Sequence, residues 1–425
     1  MKLNEIRKKI EGGALEAYAH IYPDLEHQKK RYLSALDAFE GLYGSDGDVR
    51  LFSVPGRSEI SGNHTDHNRG VVLAGAIDRD IIAVVSERDD GVIHFRSEGY
   101  PEDVVELSRV SDPAAYSDFS SAALIAGMAQ GFRDRGCEVG GFNAYSTTEV
   151  LKGSGLSSSA AFEVMVGNIM NHLYNNGALP AEEIAKLAQF SENVYFGKPC
   201  GLMDQMACAV GGFVYIDFLK PDSPLVEPID FSLSDAGYSL CIVNTGGNHA
   251  DLNEDYAAVP AEMKSVAAIF GKGVLRGLSE GELTGRAAEI RRKVGDRALL
   301  RAYHFLRECR RVDEQRHALK TKNTKAFLRG VTESGNSSFK YLQNVYTTKN
   351  PSEQGLSLAL CITEGFIDGK ECACRVHGGG FAGTIQAFIR EELAAEYCGL
   401  MNGVFGEGAT MHLNIRPVGA TEITL

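Results

Sequence analysis

The sequence predicts a mixed α/β protein of two domains, and three observations carry that prediction. At 425 residues the chain holds two or three domains of roughly 150 residues each. Val- and Ile-rich runs of strand length alternate with helical patterns through the first half. A turn-rich stretch at 230–237 then opens a second half that is helix-rich before it returns to short strands. The expected architecture is two α/β layers with a cleft between them, divided into residues 1–232 and 233–425.

Each element has its own reason. The first fifty residues read as helical and polar, ending in the turn Gly44-Ser45-Asp46-Gly47-Asp48. Residues 51–54 predict a short strand that runs into Pro55-Gly56. Residues 71–77 and 80–86 are two runs rich in Val and Ile, and the charges Asp78, Arg79 and Asp80 interrupt the apolar stretch 71–85. Asp89-Asp90-Gly91 is a hairpin-type turn before 92–95, which predicts antiparallel pairing there. A helix is expected over 119–132 and a strand over 142–147. The apolar run 160–174 reads as a buried helix, with Ser157, Ser158 and Ser159 at its start suited to capping. Pro180 followed by acids opens a further helix, carrying Glu192 near its end. Strands are expected at 213–218 and 238–244, helices from 261 to 342, strands at 374–377 and 385–389, a helix at 391–401 and a strand at 411–415.

Composition excludes whole classes of function. Lys plus Arg number 43 against 56 Asp plus Glu, a formal net charge of −13. So acidic a chain is a poor general binder of nucleic acid or anionic membrane. No apolar run reaches the roughly 18 residues of a transmembrane helix. The start, MKLNEIRKKIEGG, has no apolar core of a secretory signal, so a cytoplasmic protein is expected. Nine cysteines, an odd number scattered through a long chain, predict reduced thiols, with Cys372 and Cys374 on one face of a strand.

Four segments carry chemistry. Gly378, Gly380 and Gly383 fit Gly-x-Gly-x-x-Gly, but the residues that follow alternate like a strand rather than opening a helix. A dinucleotide fingerprint is therefore rejected in favour of a glycine turn between strands. The loop 153–159 exposes backbone N–H groups before a helix, with Lys152 adjacent. It suits an anion, or is simply a serine-rich capping turn. In residues 55–68, His64, Asp66 and His67 are candidate metal ligands, hydrogen-bonding partners of a polyhydroxyl ligand, or a solvated turn. Asp204 is a lone carboxylate among apolar neighbours, so it needs a cation or hydrogen-bond donors, whether its role is structural or catalytic.

Together these segments resemble the galactokinase branch of the GHMP sugar-kinase family. The first motif is similar over Gly56-Arg57 and Gly62-x-His64-Thr65-Asp66-x-Asn68-x-Gly70. The second is similar over Gly153-x-Gly155-Leu156-Ser157-Ser158-Ser159-Ala160, and the third over Gly378 to Gly383. Residues 199–205 resemble the catalytic aspartate segment, and 333–342 a family helix. The resemblance implies a ribosomal-S5-like N-terminal domain and a ferredoxin-like C-terminal domain with the active site between them. It implies ATP-dependent phosphorylation of a sugar's anomeric hydroxyl, with the sugar and ATP as partners. Family members are often monomers, which sets a monomer as the expectation.

Carried over residue by residue, the resemblance makes Asp204 and Arg57 the catalytic pair. Asn63, His64, Asp66, Gly201 and Tyr256 would hold the sugar. Lys152, Gly153, Gly155, Leu156, Ser157, Ser158 and Ser159 would bind ATP, and Ser159 with Glu192 would hold Mg²⁺. Four departures stand out: Asn63 replaces the usual Glu, His67 the usual Tyr, and Ala74 and Leu151 each a Pro. Asn63 tolerates a C6 carboxylate that Glu would repel. D-Galactose is the expected substrate, with galacturonate or N-acetylgalactosamine as alternatives. A non-catalytic sugar and ATP sensor is the contrasting class, opposed by the presence of Arg57, Glu192 and Asp204.

Overall fold

The computed structural model describes residues 1–151, 155–247 and 252–425. Its contacts divide the chain into two compact units, each assembled from separate segments.

The first unit comprises Met1–Arg57, Ala76–Gly212 and Arg416–Leu425. Its helices Leu3–Glu11 and Leu25–Tyr43 form where the sequence reads as helical. Leu3, Ile6 and Ile10 share one face of the first, and Tyr32, Ala35, Leu36 and Phe39 one face of the second. Those stripes close one apolar core with Leu51, Ile82, Val84 and Ile423. The strand order is Thr421–Ile423, Arg50–Ser61, Val71–Arg88, Gly141–Thr148, Val92–Ser97, Glu102–Glu106. The helices Ser121–Asp134, Ser158–Tyr174 and Ala181–Phe190 pack on one another.

Three local expectations are corrected here. Residues 78–80 do not break the β structure, because Val71–Arg88 is one continuous strand. Asp80 is buried within it, paired with Arg31 and with Arg416 (3.1 Å), and it accepts hydrogen bonds from Ser53 and Tyr22. Nor does Pro55-Gly56 end the preceding strand, which runs from Arg50 to Ser61. The Arg57 N–H bonds the Leu156 carbonyl at 3.1 Å, so the backbone beyond the proline is satisfied by the segment that precedes the Ser158–Tyr174 helix. Finally, Val92–Ser97 does not pair back across the turn at 89–91. Gly141–Thr148 lies between it and Val71–Arg88, antiparallel to the latter and parallel to the former.

The second unit comprises Ser58–Gly75 and Phe213–Ile415. A four-stranded antiparallel sheet runs in the order Thr410–Leu413, Tyr238–Asn244, Thr384–Arg390, Ala373–Val376. The helices Gly355–Ile367 and Glu391–Phe405 contribute Leu356, Ala359, Leu360, Tyr397 and Met401 to the core it shares with Val243, Ile385 and Ala387. A second core joins Asn253–Ile269 to Asp296–Lys320 through Val259, Met263, Val266, Ala302 and Phe305. Gly378 to Gly383 connect two antiparallel strands, the turn that their pattern predicts. Cys374 lies in the strand Ala373–Val376, whereas Cys372 precedes it; all nine cysteines are free. Among the described residues no helix is long and apolar enough to cross a membrane.

Candidate active site

Asp204 lies in the first turn of the helix Met203–Val210, where the helix dipole favours a negative charge. Its cation is Arg57, on the strand Arg50–Ser61. Arg57 Nε and Nη2 donate to the two carboxylate oxygens at 2.7 and 2.6 Å, a bidentate pair. Arg57 Nη1 donates to the Gly155 carbonyl at 2.5 Å, and the Ser157 hydroxyl donates to Asp204. Removal from water pushes the Asp204 carboxyl up, but the Arg57 charge and hydrogen bonds, the Ser157 hydroxyl and the Lys198 charge together hold it below the usual range. The side chain is therefore a carboxylate at neutral pH.

Ser157 serves this cluster rather than capping its helix. Ser157 is the residue before Ser158–Tyr174, in left-handed backbone at φ 59°, and its side chain makes no cap bond. Gly155 has φ 75°, which glycine adopts without strain. Gly56 must stay small, since a Cβ would lie 2.8 Å from the Leu156 carbonyl oxygen. Ser158 is half-buried in the first turn of the helix. Lys152 and Gly153, also assigned to ATP from the sequence, lie outside the described residues.

Glu192 sits in a π-helical turn, Ser191–Phe196, a distortion common at functional sites. Its Oε1 accepts from Ser159 Oγ at 3.4 Å and from Lys198 Nζ at 3.0 Å, and its Oε2 from Gln205 Nε2 at 2.8 Å. Gln205 Nε2 also donates to Glu163 Oε2 at 3.2 Å. Burial first, and the Glu192 charge second, push Glu163 well above the ordinary glutamate range. Hydroxyl and carboxylate oxygens are the hard donors that Mg²⁺ takes, and an ammonium already rests on Glu192 Oε1, so these residues fit that ion. Glu163, Gln205 and Lys198 were missed in the sequence. The available signal was Glu163 itself, four residues after Ser159 and the one carboxylate in the helix Ser158–Tyr174.

Gly201, assigned to the sugar, is half-buried three residues before Asp204 in this first unit. The other sugar candidates lie in the second unit. Asn63 is fully buried: its Nδ2 donates to Glu59 at 2.9 Å and to the Gly378 carbonyl at 2.6 Å, and its Oδ1 accepts from Asn344 at 2.6 Å. His64, in left-handed backbone at φ 58°, places Nε2 2.9 Å from the Gly379 carbonyl. Burial lowers its pKa to about 4, against the opposing effect of that carbonyl, so it is neutral at pH 7. Asp66 is half-buried, and the Tyr256 hydroxyl donates to the Gly380 carbonyl at 2.8 Å. His304 and Glu308, one turn apart on Asp296–Lys320, brace the same loop through the Asn63 carbonyl (3.0 Å) and the Gly62 N–H (3.1 Å). No group of three or more His, Cys, Asp or Glu among the described residues is arranged to hold a metal, so His64, Asp66 and His67 form no such centre.

The chain is similar to known proteins in sequence and in fold. Residues 120–212 match the GHMP kinases N terminal domain, and residues 37–87 match the galactokinase galactose-binding signature. A galactokinase of Streptomyces coelicolor is 33% identical over 353 residues, spanning 83% of this chain and 87% of the relative. The chain belongs to the galactokinase family. A human galactokinase is 28% identical, spanning 91% of this chain and 95% of that protein. In fold, this galactokinase-family chain is similar to Lactococcus lactis galactokinase complexed with galactose, with a TM-score of 0.77 at 24% identity over 92% of this chain and all of the other. A mevalonate kinase structure shares the fold at a TM-score of 0.60 and 16% identity, over 86% of this chain and 98% of the other. The GHMP kinase fold that the sequence motifs imply is the fold observed.

Proposed function

We propose that the chain is an ATP-dependent galactose 1-kinase with Asp204 and Arg57 at its chemical centre. The observation that carries this reading is the Asp204 carboxylate, gripped by Arg57 and Ser157 at the start of the Ser158–Tyr174 helix, in a galactokinase-family chain. The galactose-binding signature covers Asn63, His64 and Asp66, which favours galactose over galacturonate or N-acetylgalactosamine. The intact Arg57, Asp204 and Glu192 cluster favours an enzyme over a sensor.

In this reading Asp204 accepts a hydrogen bond from the anomeric hydroxyl and aims its oxygen at the γ-phosphorus of ATP. The new O–P bond forms as the bond to the β,γ-bridging oxygen breaks, releasing ADP. A carboxylate held below its usual range is a weak base, so its main work is orientation, and the proton moves to it late. That suits phosphoryl transfer, whose loose transition state asks for positioning and charge stabilisation more than for a strong base. Arg57 keeps Asp204 ionised and places positive charge where charge develops on the transferring group. The Ser158–Tyr174 helix N-terminus, with Gly155 to Ser159, would cradle the phosphates, and Lys152 and Gly153 would complete that loop. Glu192 and Ser159 would hold Mg²⁺, which when bound neutralises phosphate charge. Asn63, His64, Asp66, Gly201 and Tyr256 would hold the sugar. A cytoplasmic monomer completes the proposal.

The position of the new phosphate tests it. Product formed from galactose and ATP should show, by ³¹P and ¹³C NMR, one phosphate on C1. A phosphate on another carbon, or ATP hydrolysis that ignores the sugar, would overturn the assignment.

A further inference from the structure

Glu192 divides its two oxygens between different tasks. Oε2 is fixed by the Gln205 amide at 2.8 Å, whereas Oε1 faces Ser159 at 3.4 Å and Lys198 at 3.0 Å. The oxygen that a divalent ion would share with Ser159 is thus the oxygen on which an ammonium already rests. We propose that Lys198 competes with the divalent cation for Glu192 and so sets the metal requirement of this enzyme. The inference rests on the assignment of Glu192 as a metal ligand.

Two cations cannot share one carboxylate oxygen at contact distance without strong mutual repulsion. The asymmetry of the pair decides which partner moves. The Glu192 side chain is 3% exposed and clamped by Gln205, while the Lys198 side chain is 56% exposed on a flexible stem. Lys198 therefore leaves at small cost, its ammonium passing into water. Gly197, at φ 79°, and the Lys198 N–H bond to the Glu192 carbonyl at 3.2 Å fix only the backbone beneath it. Before metal arrives, the ammonium keeps the buried Glu192 charge compensated, which a carboxylate that far from water needs. Lys198 is thus a placeholder that preserves the site, and the metal must displace it.

The test uses Mn²⁺ as the probe, titrated into the full chain saturated with ADP and followed by water-proton relaxation at low salt. Lys198→Met should bind Mn²⁺ about three- to tenfold tighter than wild type, the scale of a half-exposed ion pair. Lys198→Arg should stay within about twofold of wild type, since a guanidinium reoccupies the same oxygen. Glu192→Gln should weaken Mn²⁺ binding by about tenfold or more. Wild-type or weaker affinity in Lys198→Met, alongside the loss in Glu192→Gln, would overturn the competition and leave the ligand assignment standing. Undiminished binding in Glu192→Gln would overturn both. Without metal, Lys198→Met leaves the buried Glu192 charge uncompensated, so it should melt below wild type and regain that stability on saturation with Mn²⁺, whereas a general folding defect would persist in both conditions.

Discussion

Replacing Asp204 by Asn keeps the shape of the central side chain and removes its charge. In the native cluster the two carboxylate oxygens accept from Arg57 at 2.7 and 2.6 Å, and Ser157 donates as well. An Asn side chain offers one acceptor oxygen and one NH₂, so one Arg57 N–H must then face another donor. A charge-assisted hydrogen bond is worth about 1.5–3 kcal/mol, or roughly 10- to 150-fold if the whole loss falls on the chemical step. Loss of the group that orients the hydroxyl and receives its proton adds roughly 10² more. We therefore expect kcat to fall by about 10³, and by no less than about 10² if Ser157 and Arg57 rearrange to spare one bond. Arg57 keeps its bond to the Gly155 carbonyl, so the segment proposed to cradle the phosphates is held and the KM for ATP should move by less than about threefold. Coupled ADP-release kinetics with both substrates varied, together with ATP titration calorimetry, separate these effects. Turnover within tenfold of wild type would refute the assignment of Asp204.

Other expectations follow from the same geometry. Glu163 has a raised folded-state pKa, so the folded protein holds a proton that the unfolded chain releases, and its contribution to stability declines as pH rises above the ordinary glutamate range. Glu163→Gln should remove that decline, giving a melting temperature higher than wild type at pH 8 and a flatter profile from pH 5 to 8; an unchanged slope would contradict it. Asp80→Asn leaves Arg31 and Arg416 buried with their shared counter-charge gone, and should cost about 3–5 kcal/mol in urea unfolding. A cost below about 1 kcal/mol would show that the pair is dispensable. Gly380→Ala puts a Cβ at φ 79° against the Asn344 carbonyl and carboxamide, so it should raise the KM for galactose while sparing that for ATP. Equal changes in both would argue against a sugar-side role for this turn.

How much of this could be read from the chain depends on how local each cause is. The helices Leu3–Glu11, Leu25–Tyr43 and Ser158–Tyr174 follow from apolar spacing within their own turns, and the glycine turn at 378–383 from its neighbours' alternation. Strand order does not, because inserting Gly141–Thr148 between Val71–Arg88 and Val92–Ser97 is a choice made across fifty residues of intervening chain. Asp80 reads as a break for the same reason: its partners Arg31 and Arg416 are 49 and 336 positions away. At the candidate site, the need of Asp204 for a cation was visible in its apolar setting, and Arg57 supplies it. Ser157, by contrast, looks like a cap in sequence and spends its hydroxyl on Asp204 in the fold. Nothing in the sequence marks Lys198, and only its 3.0 Å distance from Glu192 in the fold brings it into the site.

The central claim is that this chain moves phosphate from ATP to the anomeric oxygen of galactose. Its most direct test is ADP release with Mg²⁺ across galactose, galacturonate, N-acetylgalactosamine, glucose and no sugar. The account predicts turnover with galactose at least about tenfold above every other condition, since pockets that hydrogen-bond a substrate hydroxyl reject analogues lacking it by far more. Turnover confined to galacturonate, or none with any sugar despite galactose binding, would contradict it.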